Sequence, residues 1–235
     1  MKTWCTALAA LLLAALPVWA HFLWIVPDKP GDDKATAQVF FSDTLKPDNP
    51  ELLAKVSKTE LFFRGPRGAA EELKWTEAKE AYQLSVPGTG PYEVGGICRY
   101  GVAQRGSDEP FLLMYYPKAY LGTLSKASPP LFFKGWEKLP LEIIPAGPAT
   151  GVFQVAWQGK PLPDAEVVVV TPGQDKGPEL KTNKEGAFTV EVKEAGNYGI
   201  RVKYVEPKTG ELDGKQYKEV RHYATLVMSI APAKP

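Results

Sequence analysis

The chain has 235 residues, 44% of them hydrophobic and 23% charged, a balance that predicts a folded protein and excludes general disorder. Its 28 basic and 27 acidic residues leave a formal net charge of +1, which excludes the strongly basic face of a nucleic-acid or anionic-membrane binder. Length alone admits one or two domains.

Residues 1–20 differ from everything after them. Lys2 gives a small positive start, an apolar run spans Ala7 to Leu16, and Pro17 precedes the small-residue pattern Val18-Trp19-Ala20. This is the layout of a secretory signal, with cleavage expected after Ala20. The run is shorter than the roughly 20 apolar residues of a membrane helix, and no later stretch is longer. A periplasmic or secreted protein without membrane insertion is therefore expected. Cleavage removes Cys5 and leaves Cys98 alone, so no intramolecular disulfide is available and apolar cores must hold the fold.

After the signal, short runs rich in β-branched and aromatic residues recur between glycines and prolines. Strands are predicted at Phe22–Val26, Ala35–Phe41, Thr59–Phe63, Tyr82–Val86, Tyr92–Tyr100, Phe111–Tyr116 and Leu139–Ile144. One short helix is predicted at Pro50–Val56, with Asp48 or Asn49 as its cap and Pro50 in the first turn, where proline is tolerated. Ala69–Ala81 is read as a hairpin. Asp28, Asp32 and Asp33, among Pro27, Pro30 and Gly31, read as a solvated turn. The cluster Pro145-Ala146-Gly147-Pro148 reads as a linker. Beyond it, strands at Gly151–Trp157, Ala165–Thr171, Ala187–Val192, Tyr198–Val205 and Arg221–Ile230 alternate with turns about every ten residues, a sandwich spacing. The expected fold is all-β: a leader at 1–20, an N-terminal sandwich at 21–146 and a C-terminal sandwich at 147–235.

The stretch Gly159-Lys160-Pro161-Leu162-Pro163-Asp164-Ala165-Glu166-Val167, with Thr182-Asn183-Lys184-Glu185-Gly186-Ala187-Phe188, resembles the transthyretin-like, carboxypeptidase-regulatory-like sandwich module. That likeness implies an immunoglobulin-like or transthyretin-like C-terminal domain and, by itself, no activity.

Chemistry rests on scarce residues. Only two histidines occur, His21 and His222, and cleavage makes His21 the first residue. An N-terminal histidine offers its α-amine and its ring to one metal as a chelate, and an amine of pKa about 7.7–8.0 yields its proton to a metal near neutral pH. A second imidazole from His222, if the first and last strands lie together, completes a three-nitrogen set that suits Cu(II) or Ni(II). Cys98 is either a soft third ligand or a small buried hydrophobe. No nucleophile elbow, phosphate loop or cysteine-pair zinc spacing is present, so catalysis is not the leading expectation.

His21-Phe22-Leu23-Trp24-Ile25 after the leader and His222-Tyr223-Ala224-Thr225-Leu226 near the end resemble the domain-of-unknown-function 4198 family of exported bacterial proteins. Cys98-Arg99-Tyr100-Gly101-Val102 and Leu112-Leu113-Met114-Tyr115-Tyr116 do so too. The family is often labelled a nickel- or cobalt-uptake periplasmic component. The resemblance implies His21 as first ligand, His222 as its partner and a membrane metal transporter as a partner protein. His21 alone is similar to histidine-brace copper carriers and mono-oxygenases. The leading expectation is thus a periplasmic protein handling Cu or Ni for uptake, buffering or delivery. A copper-dependent mono-oxygenase and a metal-free adhesion or structural module are the rival readings.

Overall fold

The computed structural model describes residues 21–29, 34–65, 68–88, 90–122, 134–146, 151–175 and 177–230, and the expected leader lies outside them. In chain order the strands are β1 (Phe22–Pro27), β2 (Lys34–Ser42), β3 (Glu60–Arg64), β4 (Ala70–Leu73), β5 (Trp75–Glu77), β6 (Tyr82–Pro87), β7 (Tyr92–Ala103), β8 (Phe111–Leu121) and β9 (Leu141–Pro145). There follow β10 (Val152–Trp157), β11 (Lys160–Pro161), β12 (Glu166–Val170), β13 (Glu179–Lys181), β14 (Ala187–Thr189), β15 (Gly196–Glu206), β16 (Gly210–Leu212), β17 (Lys215–Tyr217) and β18 (Glu219–Ile230). The predicted helix is a 3-10 turn at Pro50–Leu52 running into α1 (Leu53–Val56). Asn49 caps it, its side-chain oxygen accepting from the Glu51 N–H at 3.0 Å.

The strands form a three-layer β-sandwich. An eight-stranded sheet, ordered β13-β12-β15-β18-β8-β7-β3-β4, is the middle layer. On one face lies the sheet β1-β2-β6-β5, with β1 crossing β8 and β18. On the other lies the sheet built on β10 with β9, β11 and β14, with β9 against β18 and β15. Side chains of successive strand residues point to opposite faces, and β18 shows this directly. Tyr223 and Val227 belong to the core shared with β1, β2 and β6, whereas Ala224, Leu226 and Met228 belong to the core shared with β9, β10 and β12. Covered on both faces, β8 is a nearly unbroken buried run, as central strands are.

Strand pairing runs across residue 146: β9 and β10 flank it and pair antiparallel from Leu141↔Trp157 to Pro145↔Phe153. The chain's last strand, β18, pairs in parallel with β8 of the N-terminal half, so the middle sheet is common to both halves. One expectation changes here, since 69–81 is not a hairpin. Only Lys74 separates β4 from β5, and β4 pairs with β3 while β5 pairs with β6. The chain steps there from one sheet to another, which a one-residue link permits and a hairpin turn does not. Asp28 accepts from Thr36 Oγ1 at 2.7 Å and from Gln83 Nε2 at 2.8 Å, so it buttresses β1 against β2 and β6. Asp32 and Asp33 lie outside the described residues.

The middle sheet is joined to β9 by a buried ionic chain. Arg64 pairs with Glu93, Lys118 Nζ lies 3.3 Å from Glu93 Oε1 and 2.7 Å from Glu142 Oε1, and none of the four side chains is more than 6% exposed. Tyr120 donates to Glu93 at 3.0 Å, and the Trp136 N–H donates to Glu142 at 2.6 Å. Burial pushes the Glu142 carboxyl up, with Lys118 opposing that rise. Two cations alternate with two anions, so removing one leaves an uncompensated buried charge. Lys118→Met is expected to cost about 3–5 kcal/mol in urea unfolding; a loss below about 1 kcal/mol contradicts this role.

Candidate functional site

β1 pairs with β2 from Phe22↔Ser42 onward, and the same register carried one residue back sets His21 opposite Asp43. The His21 ring stacks on Phe41, centroids 5.5 Å apart, and Phe41 in turn packs on Tyr100 and Tyr115. This aromatic support holds the imidazole at the rim of the first core. Its Nδ1 lies 3.8 Å from Asp43 Oδ1 and its Nε2 lies 3.4 Å from Asp48 Oδ2.

The two carboxylates are not equivalent. Asp48 is open to solvent, whereas the Asp43 side chain is 12% exposed. Both Asp43 oxygens are buried and accept no hydrogen bond. A buried ionisable group without hydrogen-bond donors is rare in folded proteins. Burial pushes the Asp43 carboxyl up, while His21 and then Arg201 pull it down. Arg201 does not reach the carboxylate as a donor: its guanidinium lies 4.2 Å over the Phe22 ring and its Nη1 donates to the Asp43 main-chain oxygen at 3.5 Å.

His222 is placed elsewhere. It sits in β18 between Tyr204 of β15 and Met114 of β8, on the face of the middle sheet that bears Ala224 and Leu226. His21 is on the other side, beside Phe41 in the core shared with β1 and β2. The first and last strands do approach each other, as expected, but β1 crosses β18 on the face to which Tyr223 points. The neighbouring His222 therefore points away, and the sheet stands between the two imidazoles. Both of its ring nitrogens are engaged, Nδ1 with Tyr116 Oη at 2.9 Å and Nε2 with Glu206 Oε2 at 3.3 Å. Trp157 closes the box at 4.5 Å. Burial pushes the His222 pKa down, and Glu206 partly restores it.

Cys98 is buried in β7, opposite Tyr115 of β8. Burial pushes its thiol up, and a hydrogen bond with the Thr59 side chain offsets part of that. A raised thiol pKa disfavours the thiolate that a metal needs. Among the described residues no three His, Cys, Asp or Glu side chains cluster to hold a metal ion. The donors that the described residues place at His21 are accordingly its ring and the neighbouring Asp43 and Asp48 carboxylates. A cavity of about 710 Å³ lined by Lys58, Phe62, Lys74, Trp75 and Lys138 shares no residue with this rim.

Sequence reasoning offers Asp48 only as a helix cap and does not reach Asp43. Both strands β1 and β2 are predictable, but the register that sets Asp43 against His21 depends on core packing across the sheet.

The profile of a family described as a domain of unknown function (DUF4198) matches residues 18–206. The matched span includes His21, Asp43 and Cys98 and ends before His222. No protein of curated function matches the chain. Among solved structures, a two-domain fibronectin type III segment from chicken tenascin is similar, at 10% identity over 85% of this chain and 95% of that one, with a TM-score of 0.19. So loose a superposition carries no argument, and the sandwich is read from its own sheets.

The buried His222 gives a test of its environment. Its folded pKa lies below the ordinary histidine value, so its contribution is present above about pH 6.5 and is lost as pH falls through the depressed value. Thermal unfolding from pH 7.5 to pH 5 is expected to show wild-type Tm falling more steeply than that of His222→Gln. Parallel curves contradict the assignment.

Proposed function

The chain belongs to the domain-of-unknown-function 4198 family, and from that premise we propose that it is an exported accessory protein that binds one transition-metal ion, Cu(II) or Ni(II), at His21. With the leader removed after Ala20, the α-amine and Nδ1 of His21 form a chelate. Nitrogen donors so arranged suit a planar or T-shaped site, and affinity order favours copper over nickel. The protein would serve uptake, buffering or delivery in the periplasm, with a membrane metal transporter as its partner.

The observation that carries this reading is the rim itself. The first residue of the processed chain stands beside a buried carboxylate that accepts no hydrogen bond. His222, with both nitrogens occupied on the far face of the sheet, is left out of the ligand set and acts in packing.

Calorimetric titration of the exported protein, its N-terminus established by mass spectrometry, tests the proposal. One Cu(II) per chain is expected. His21→Ala is expected to weaken binding by more than about 100-fold, beyond the 10–100-fold typical of residues that only orient a ligand, while His222→Ala keeps wild-type affinity. Equal affinity in wild type and His21→Ala contradicts the proposal, as does equal thermal stability of wild type with and without the metal.

A further inference from the structure

Resting on that reading, we infer that Asp43 supplies the third donor to the ion at His21, so that the site is made of two nitrogens and one carboxylate oxygen from a single strand pair. Three observations carry it. The β1–β2 register, carried one residue beyond its Phe22↔Ser42 end, brings the two residues side by side. The Nδ1–Oδ1 separation is 3.8 Å, too long for a hydrogen bond. Two donors bound at about 2.1 Å to one ion lie between about 3.0 Å apart at a right angle and about 4.2 Å apart when opposed. The observed gap falls within that range, so the ion-paired His21 and Asp43 are also close enough to share one ion. Finally, both carboxylate oxygens are buried and without hydrogen-bond donors.

Charge agrees with this assignment. The amine and imidazole bind as neutral donors, so the carboxylate brings one negative charge to a divalent ion that nitrogen ligands alone leave uncompensated. Asp48 does not compete, because it approaches Nε2 on the other edge of the ring. An ion held through Nδ1 and the adjacent α-nitrogen is on the Asp43 side. Cys98 and His222 are not needed to complete the set.

The test uses the processed protein beginning at His21, with Cu(II) alone as the probe, followed by calorimetry and by electron paramagnetic resonance. Wild type, Asp43→Asn, Asp48→Asn and His222→Ala are compared, and the metal-free Tm of each reports folding. The expected result is that Asp43→Asn binds at least about tenfold more weakly, a loss of about 1.4 kcal/mol. Its spectrum changes while nitrogen coupling persists. Its metal-free Tm stays close to wild type, which shows that the fold is intact. Asp48→Asn and His222→Ala match wild type in affinity and spectrum. Asp43→Asn with wild-type affinity and spectrum overturns the assignment and leaves the His21 site standing; there, the freed α-ammonium of His21 is what Asp43 neutralises. Wild type without Cu(II) binding overturns the site as well.

Discussion

Ten consecutive register pairs join β18 to β8 in parallel, from Glu219↔Phe111 to Met228↔Tyr120, and the geometry of the rest follows from that pairing. Strands close in sequence could have formed two separate sheets. Instead the last strand lies against one formed about a hundred residues earlier, and the two halves of the chain share a single layer. Both faces of that layer must then be covered, which is why the sheet of β1 sits on one side and the sheet of β10 on the other. The Thr225 hydroxyl donates to the Leu23 carbonyl at 2.7 Å, and Phe22 packs edge-on to Tyr223 at 5.5 Å, fastening β1 across the middle layer. The placement of His21 depends on this attachment, since His21 directly precedes β1.

The same layer acts as a partition. His222 and Tyr223 are adjacent in the chain, yet strand alternation sends them to different cores. Tyr223 meets β1; His222 meets Tyr116, Trp157 and Glu206. Two histidines thus acquire opposite characters from their surroundings. One is held among aromatic rings with both nitrogens occupied. The other stands half-exposed between two carboxylates at the rim of the first core, one of them buried and without hydrogen-bond donors. The metal-handling proposal attaches to the second alone.

Local features were readable in the chain. Proline and glycine punctuation located most strands to within a few residues, and Pro50 with Asp48 or Asn49 as cap located the helix start. The leader pattern singled out His21. What could not be read was pairing between distant segments, since hydrophobic alternation marks a strand's two faces without naming its neighbours. The boundary near residue 146 looked like a linker because Pro145 and Pro148 interrupt the pattern, although β9 and β10 pair across it. Asp43 carries no sequence signal of its own, and its approach to His21 emerges only from the fold. Lys118, Glu93 and Glu142 gave no warning in sequence of a buried ionic chain, because single charges within apolar runs read as surface positions.

With only two histidines in the chain, selective labelling of imidazole nitrogen resolves each ring separately by nuclear magnetic resonance. Titrating the processed, labelled protein with Zn(II), a diamagnetic probe of the same donors, reports which rings take the ion. The account requires one imidazole, that of His21, to shift with one equivalent of metal while the ring hydrogen-bonded to Tyr116 keeps its resonances. Simultaneous shifts of both rings at one equivalent would contradict it, for the two would then meet on a single ion despite the sheet between them.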